Sequence, residues 1–485
     1  MSKIVQPWFQ RMRHLLLATP LALPGCAGFS PDGGMDFVAA SAGSNINKQV
    51  VLVRSDEDAA AARAATDRLL QRPLTADTAV QIALFNNKGL QSAYNELGIA
   101  EAARVQASLP PNPTFSIERM SGPLEIELEK RLVANILALA TLPVRAEVAA
   151  DRFRQAQLRA AEETLRVAAE TRRAYYRAVA ARQTIFVLAQ ARDSAETATQ
   201  LSRRLGETGA IGKLNQAQDQ VFYAEIAAQL ATARQRMLTE RERLVRAMGL
   251  WGDDLAFKLP DNLPSMPRRP QVLPAVEVEA VRRRIDIQIA RIELDALAKS
   301  YGLTQATRFV NLLEVAAIAR DTKELPTREN PKSKTIRDRG FELEFQIPLF
   351  DFGEVRARQA EQTYLQAVNR LTEKAVNARS QAREAYRSYR ASYDIAAHYR
   401  REVLPLRKII TDETLLRYNA MQIDVFGLLT EVRQRTASIN ASVEAQRNFW
   451  LATVDLGVAV MGGGVAGGGE APAMAGAPAE GEGGH

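Results

Sequence analysis

The feature that most constrains this chain occurs twice: a short strand-like alternation that feeds straight into very long helical sequence. In RGFELEFQIPLFDFGEVRARQAEQTYLQAV, which begins at Arg339, Phe341, Leu343, Phe345 and Ile347 fall on one face and Glu342, Glu344 and Gln346 on the other. A period of two belongs to a strand. After Pro348 to Gly353 the sequence turns rich in Ala, Arg, Gln and Glu and reads as helix for about fifty residues. Upstream, Leu124, Ile126 and Leu128 alternate with Glu125, Glu127 and Glu129, and Phe115 and Ile117 with Thr114, Ser116 and Glu118. From Val144 to Leu205 there is then neither Gly nor Pro, room for a helix on the order of 90 Å at ~1.5 Å per residue.

The two occurrences are parts of one repeat. Ala174-Tyr175 corresponds to Ala385-Tyr386, and ETGAIGKLNQAQ around Gly209 to YNAMQIDVFGLL around Met421, at offsets of 211 and 212. PPNPTFSIERM and LEIELEKRL correspond to RFVNLLEVAAIA and FELEFQIPLF. Each half therefore reads helix, strand, strand, long helix, tight break, second long helix. The opening helix of the first half begins at Thr75, with Thr75 or Asp77 as its cap, and Pro110-Pro111 closes it. A helix from about Leu214 to Met248 follows the break. The third strand, around Phe309 to Ala319, alternates poorly and is placed by its repeat position. The organisation expected is a signal segment at 1–25, a lipidated N-terminal segment at 26–73, a first repeat at 74–259, a Pro-rich connector at 260–274, a second repeat at 275–461 and a Gly/Ala/Pro-rich tail at 462–485. The tail is too poor in apolar residues to order itself.

Composition excludes several classes of function. The chain has 485 residues, only 6% of them aromatic, and a net charge of +7 to which the leader's Lys3, Arg11 and Arg13 contribute. The remaining Arg residues are interleaved with acids at helical spacing, which describes a solvated helix surface and not a nucleic-acid footprint. One Cys and three scattered His, at positions 14, 398 and 485, leave no zinc spacing, no disulfide framework and no metal site. No phosphate loop or Ser/His/Asp set is present, so the chain is read as no enzyme and as needing no cofactor.

The N-terminus, MSKIVQPWFQRMRHLLLATPLALPGCAGFS, has a basic head and a short apolar run from Leu15 to Leu23. That is a secretory signal, too short to span a bilayer. Leu23-Pro24-Gly25-Cys26 resembles a bacterial lipobox, which implies lipid on Cys26. The absence of Asp after Cys26 then implies the outer membrane.

Two strands per half cannot stand alone in water, and four per chain close no barrel. Their apolar-out, polar-in alternation is that of a membrane barrel strand, and in lipid only a closed barrel pairs every backbone group. Several chains must therefore share one barrel. The small-residue stripe Ala146, Ala149, Ala150, Ala156, Ala160 and Ala161 allows close helix packing beside charged faces. A soluble helical bundle would explain the helices but neither the strand pairs nor the lipobox.

Taken in order, the lipobox, the duplication, NPTFSIE, IPLFDFGEVRARQAE, ETGAIGKLNQAQ and RYNAMQIDVFGLL resemble the TolC-type outer-membrane efflux factor family over roughly Leu74 to Val460. The resemblance implies a mainly α chain with membrane β: a homotrimer whose four strands per chain form a twelve-stranded β-barrel continuous with a long α-helical barrel. It implies a passive exit duct of a tripartite efflux pump in the outer membrane, extending into the periplasm, served by a periplasmic adaptor and an inner-membrane pump of the RND type. Pro348 to Gly353 would be the junction of barrel and tunnel. The breaks at Gly206 to Leu214 and Tyr418 to Leu429 would be the periplasmic tip that carries the gate and meets the adaptor. Gly209, Gly212, Arg417, Tyr418 and Asp424 are the candidates there. The family commonly has Gly where this chain has Met421. Three copies of Asp424, with Arg417 and Tyr418, would make a charged ring; Asp424 would equally cap the second helix. Glu125, Glu127, Glu342 and Glu344 are candidates for the barrel lumen, where an acidic lining favours cations. A type I protein secretion duct is the alternative transport role, and a structural envelope lipoprotein without a channel the alternative outside transport.

Overall fold

The computed structural model describes residues 28–326 and 332–462. The signal segment, Cys26 and the tail beyond Gly462 lie outside the described residues. Two compact units are present, each assembled from separate stretches of chain. Of the described residues, one takes in 28–37, Tyr94–Leu158 and Ile289–Thr372; the other takes in Val38–Ala93, Arg159–Gln288 and 373–462.

The first unit holds the sheet. Strands β1 (Thr114–Ser121), β2 (Glu125–Asn135), β3 (Leu312–Glu324) and β4 (Lys334–Gln346) run antiparallel in the order β1-β2-β3-β4. The third strand runs further than expected, to Glu324. Its weak alternation has a physical reason. Leu313, Val315, Ala317 and Ala319 sit on one face with Asp321 and Lys323 beyond them, so its polarity changes along the strand rather than from residue to residue.

The helices comprise α1 (Asp56–Leu70), α2 (Ala76–Asn86), α3 (Lys88–Ser108), α4 (Ile136–Glu207), α5 (Lys213–Met248), α6 (Val276–Arg283), α7 (Ile285–Ala306), α8 (Glu354–His398), α9 (Leu404–Asn419) and α10 (Val425–Met461). Thr75 caps α2 in a capping box with Thr78. The opening helix of each half, expected to be continuous, is broken. At Asn87 the backbone is extended, and the side chain takes over the lost bonds by accepting from Leu90 N–H at 3.1 Å and donating to the Ala247 carbonyl at 3.1 Å. At Arg284 the break is held by a fork to Asp286 at 2.8 and 3.0 Å.

α4 starts directly at the end of β2, earlier than the expected Val144, and carries Pro143 within it. Pro143 is the eighth residue of α4, past the first turn, so its missing N–H removes one ladder hydrogen bond while the helix continues. Further on, Ala160 and Ala161 are buried while Ala150 is exposed, so the alanine stripe packs along only part of its length. Between α8 and α9 the helix passes through a π turn at Tyr399–Val403 before Pro405. A π turn of this kind accommodates a residue that cannot donate to the regular ladder.

The second unit's core is aromatic and held by side-chain bonds to backbone. Tyr175 donates to the Leu74 carbonyl at 3.0 Å. Phe449, 1% exposed, packs against Tyr389, Tyr393 and Trp450; burying such a ring is worth about 2–3 kcal/mol. The Pro-rich connector is fastened onto this core. Trp450 donates to the Pro264 carbonyl at 3.1 Å, Tyr393 to the Arg268 carbonyl at 2.7 Å, and the Gln271 N–H to the Tyr389 hydroxyl at 2.9 Å.

Candidate functional site

The pairing register sorts the side chains of the sheet onto two faces. Glu125, Glu127, Glu342 and Glu344 fall on the same face, joined there by Glu118 and Glu129. Across this face Arg320 reaches Glu127 at 2.5 Å and Glu129 at 2.7 Å, and Arg131 reaches Glu342 at 2.9 Å. Arg320 and Arg131 did not stand out in the sequence, because the strand pairing that brings them to the glutamates is long-range. The opposite face carries Phe115, Leu132, Val315, Phe341, Leu343 and Phe345 in adjacent rows. Phe341 is 85% exposed. One face of this sheet is therefore made for water and the other for an apolar medium. Its edges, β1 and β4, offer unsatisfied ladder groups to further strands.

The passage from sheet to helix depends on Gly353. Phe352 and Gly353 both have positive φ, at 48° and 71°. A Cβ on Gly353 would lie 2.2 Å from the Arg308 carbonyl oxygen. Arg308 donates to the Phe352 carbonyl at 2.8 Å, and Arg356 reaches back to Asn311 and to the Thr307 and Arg308 carbonyls. The chain thus bends from β4 into α8 in a clamp of two arginines around a residue with no side chain.

The two breaks between long helices share one backbone design. After α4, the N–H groups of Gly209 and Ala210 bond the carbonyls of Gly206 and Leu205 at 3.0 and 2.9 Å. After α9, those of Met421 and Gln422 bond the carbonyls of Tyr418 and Arg417, both at 2.9 Å. Both are Schellman turns. Gly209 and Met421 occupy the left-handed position, at φ 74° and 59°. Gly212 and Asp424 are the next N-caps. Asp424 accepts from Gly427 N–H at 2.8 Å, so it does cap α10. Arg417 is exposed and paired with Glu413 at 3.2 Å. Tyr418 is half-buried and packs on the cluster of Ala191, Ala195, Phe222, Ile226, Val425 and Leu429. Sequence reasoning passed over Asp219 on α5, which is buried close to this cluster. Burial pushes its carboxyl above the usual carboxylate value, the Asp424 charge adds to the rise, and Ser202 partly opposes it.

At the N-terminal end of the described chain, Glu101 accepts from Ser30 N–H at 2.6 Å and Arg104 donates to the Gly28 carbonyl at 3.0 Å. The residues just after Cys26 are thereby held on α3. Among the described residues no helix is long and apolar enough to cross a membrane, and no group of His, Cys, Asp and Glu could hold a metal ion.

A sequence model described as "Outer membrane efflux protein" matches residues 277–410, the stretch that carries α7, β3, β4 and the clamp at Gly353. Over that stretch the chain resembles the outer membrane efflux protein family. Solved structures agree in fold. CusC, whose structures are described in terms of transmembrane channel formation, is 15% identical with a TM-score of 0.65, over 79% of this chain and 91% of that one. The outer-membrane channel OprN is 17% identical with a TM-score of 0.65, over 88% and 96%. The outer membrane protein VceC of Vibrio cholerae is 13% identical with a TM-score of 0.62, over 83% and 96%. No curated protein matches the sequence.

Proposed function

We propose that this chain is the exit duct of a tripartite efflux pump in an outer membrane. In this reading three copies join β4 of one to β1 of the next, closing a twelve-stranded barrel that continues into a tunnel of helices. The observation that carries the proposal is the sheet itself. Four strands with two free edges, one face apolar and exposed and the other charged, leave apolar surface bare in water and backbone groups unpaired in lipid until the edges are joined. Closure puts Phe341, Leu343 and Phe345 against lipid and turns Glu125, Glu127, Glu342 and Glu344 to the lumen.

The two Schellman turns then lie at the periplasmic tip, where an adaptor docks and where Arg417 and Asp424 would be repeated around the axis. Cys26 carries lipid, and the hold of Arg104 and Glu101 on Gly28 and Ser30 fixes where that anchor leaves the body. The pump that drives transport is of the RND type, and the cargo is small molecules or ions. Type I protein secretion is the second use open to the same duct.

The test is conductance. Purified protein added to a planar bilayer should give discrete steps of one unit size, with a reversal potential displaced toward cations in a salt gradient. Protein that inserts but conducts nothing would be a structural lipoprotein and not a duct.

A further inference from the structure

The charge on the sheet is divided across its thickness. Against the acid-rich face described above, the apolar face ends, toward the hairpins, in rows of cations. Arg119, Lys130, Lys323, Arg337 and Arg339 all fall on that face, with Asp321 the one acid among its described residues. Asp321 does not neutralise the group. Lys130, Arg337 and Arg339 approach it at 3.9, 3.9 and 3.6 Å, beyond hydrogen-bond contact, so each keeps donors for another anion. Arg337 and Arg339 have 74% and 61% of their side-chain surface exposed.

The register also places these cations directly above the apolar rows. Lys130 and Arg339 are one row from Leu132, Ala317 and Phe341, and Leu128, Asp321 and Arg337 form the row beyond. Strand rows on one face are about 7 Å apart, so apolar surface gives way to cations within a single step. An occupant that matches both parts must be apolar at one end and multiply anionic at the other. Arginine favours phosphate in this role, because its planar fork binds two oxygens at once.

We propose that this face binds a phosphorylated lipid of the outer leaflet, with acyl chains on Phe341 and its row and phosphates on the cations around Asp321. The proposal rests on the barrel reading, since that reading turns this face to the membrane. It goes beyond it by assigning a specific anionic lipid to a surface that a barrel needs only to be greasy.

The test uses the full-length protein in mild detergent, titrated in native mass spectrometry with diphosphoryl lipid A, with its dephosphorylated form and with inorganic phosphate. Diphosphoryl lipid A should bind, and the other two should not. The double variant Arg337→Gln/Arg339→Gln should bind it about 30-fold more weakly, because each basic residue at an anionic surface carries about a factor of five. Lys334→Gln, on the acidic face, should bind as the parent does. Equal binding of the dephosphorylated lipid, equal binding by the double variant, or saturation by inorganic phosphate alone would each overturn the proposal. Conductance of the same preparations separates the two readings. Pores without selective lipid binding defeat this inference alone, whereas absence of pores in parent and variant defeats the barrel reading beneath it.

Discussion

The Arg320 guanidinium lies 2.7 Å from the Glu129 carboxylate, across two strands separated by almost two hundred residues of sequence. This pair, with Glu127 on the same cation, sets the charge balance of the acidic face. Replacing Arg320 with Gln removes a cation from a face where acids are already in excess, so cation preference in a bilayer should increase. Glu127→Gln/Glu129→Gln should reduce it. Reversal potentials in a salt gradient measure both. Shifts of the same sign in the two variants would show that this face does not line the conduction path.

Met421 sits in the left-handed region at φ 59°, the place that Gly209 fills in the other break. An L-residue there costs about 1–2 kcal/mol relative to glycine. Met421 is also 94% exposed, so it has little packing to lose. Met421→Gly should stabilise the tip by about 1 kcal/mol, and Gly209→Ala should destabilise it by a similar amount. Hydrogen exchange of the amides around each break reads the effect. Equal protection in Met421→Gly and the parent would mean that the turn is relaxed despite its backbone.

Gly353 has no such latitude. Gly353→Ala combines a positive φ with a Cβ 2.2 Å from the Arg308 carbonyl oxygen, and should cost at least about 2 kcal/mol at the strand-to-helix bend. Assembled protein recovered from the membrane fraction should fall sharply. Normal recovery would show that the bend can move to another residue.

The pH dependence of the tip should follow Asp219. Its carboxyl is raised above the ordinary value of 3.8, first by burial and then by Asp424. The folded tip therefore binds a proton more tightly than the unfolded chain. Its contribution is greatest at the acid end and is lost as pH rises from 3.8 through the raised folded value. Exchange protection of residues around Phe222 should fall over that window in the parent and stay flatter in Asp219→Asn. Identical profiles would assign the dependence to other groups.

Much of this architecture was legible in the sequence because it rests on local rules. The period of two in Phe341 to Ile347, the Gly/Pro-free run from Val144 and the glycines at 206, 209 and 212 each signal their element without help from tertiary contacts. What escaped depends on partners distant in sequence. Asn87 breaks a helix because its side chain donates to the distant Ala247 carbonyl and accepts from Leu90 N–H. Tyr418 packs on Phe222 and its neighbours, a surface formed only when two hairpins meet. The division of bases from acids across the sheet was hidden for the same reason, since it appears only when four strands are placed in register.

The central claim is that several chains close one barrel. The most direct measurement is the mass and image of the assembly after extraction in mild detergent. The account predicts a particle of three chains, hollow along its axis, with threefold symmetry in projection. A monomer that stays in solution without detergent would contradict it.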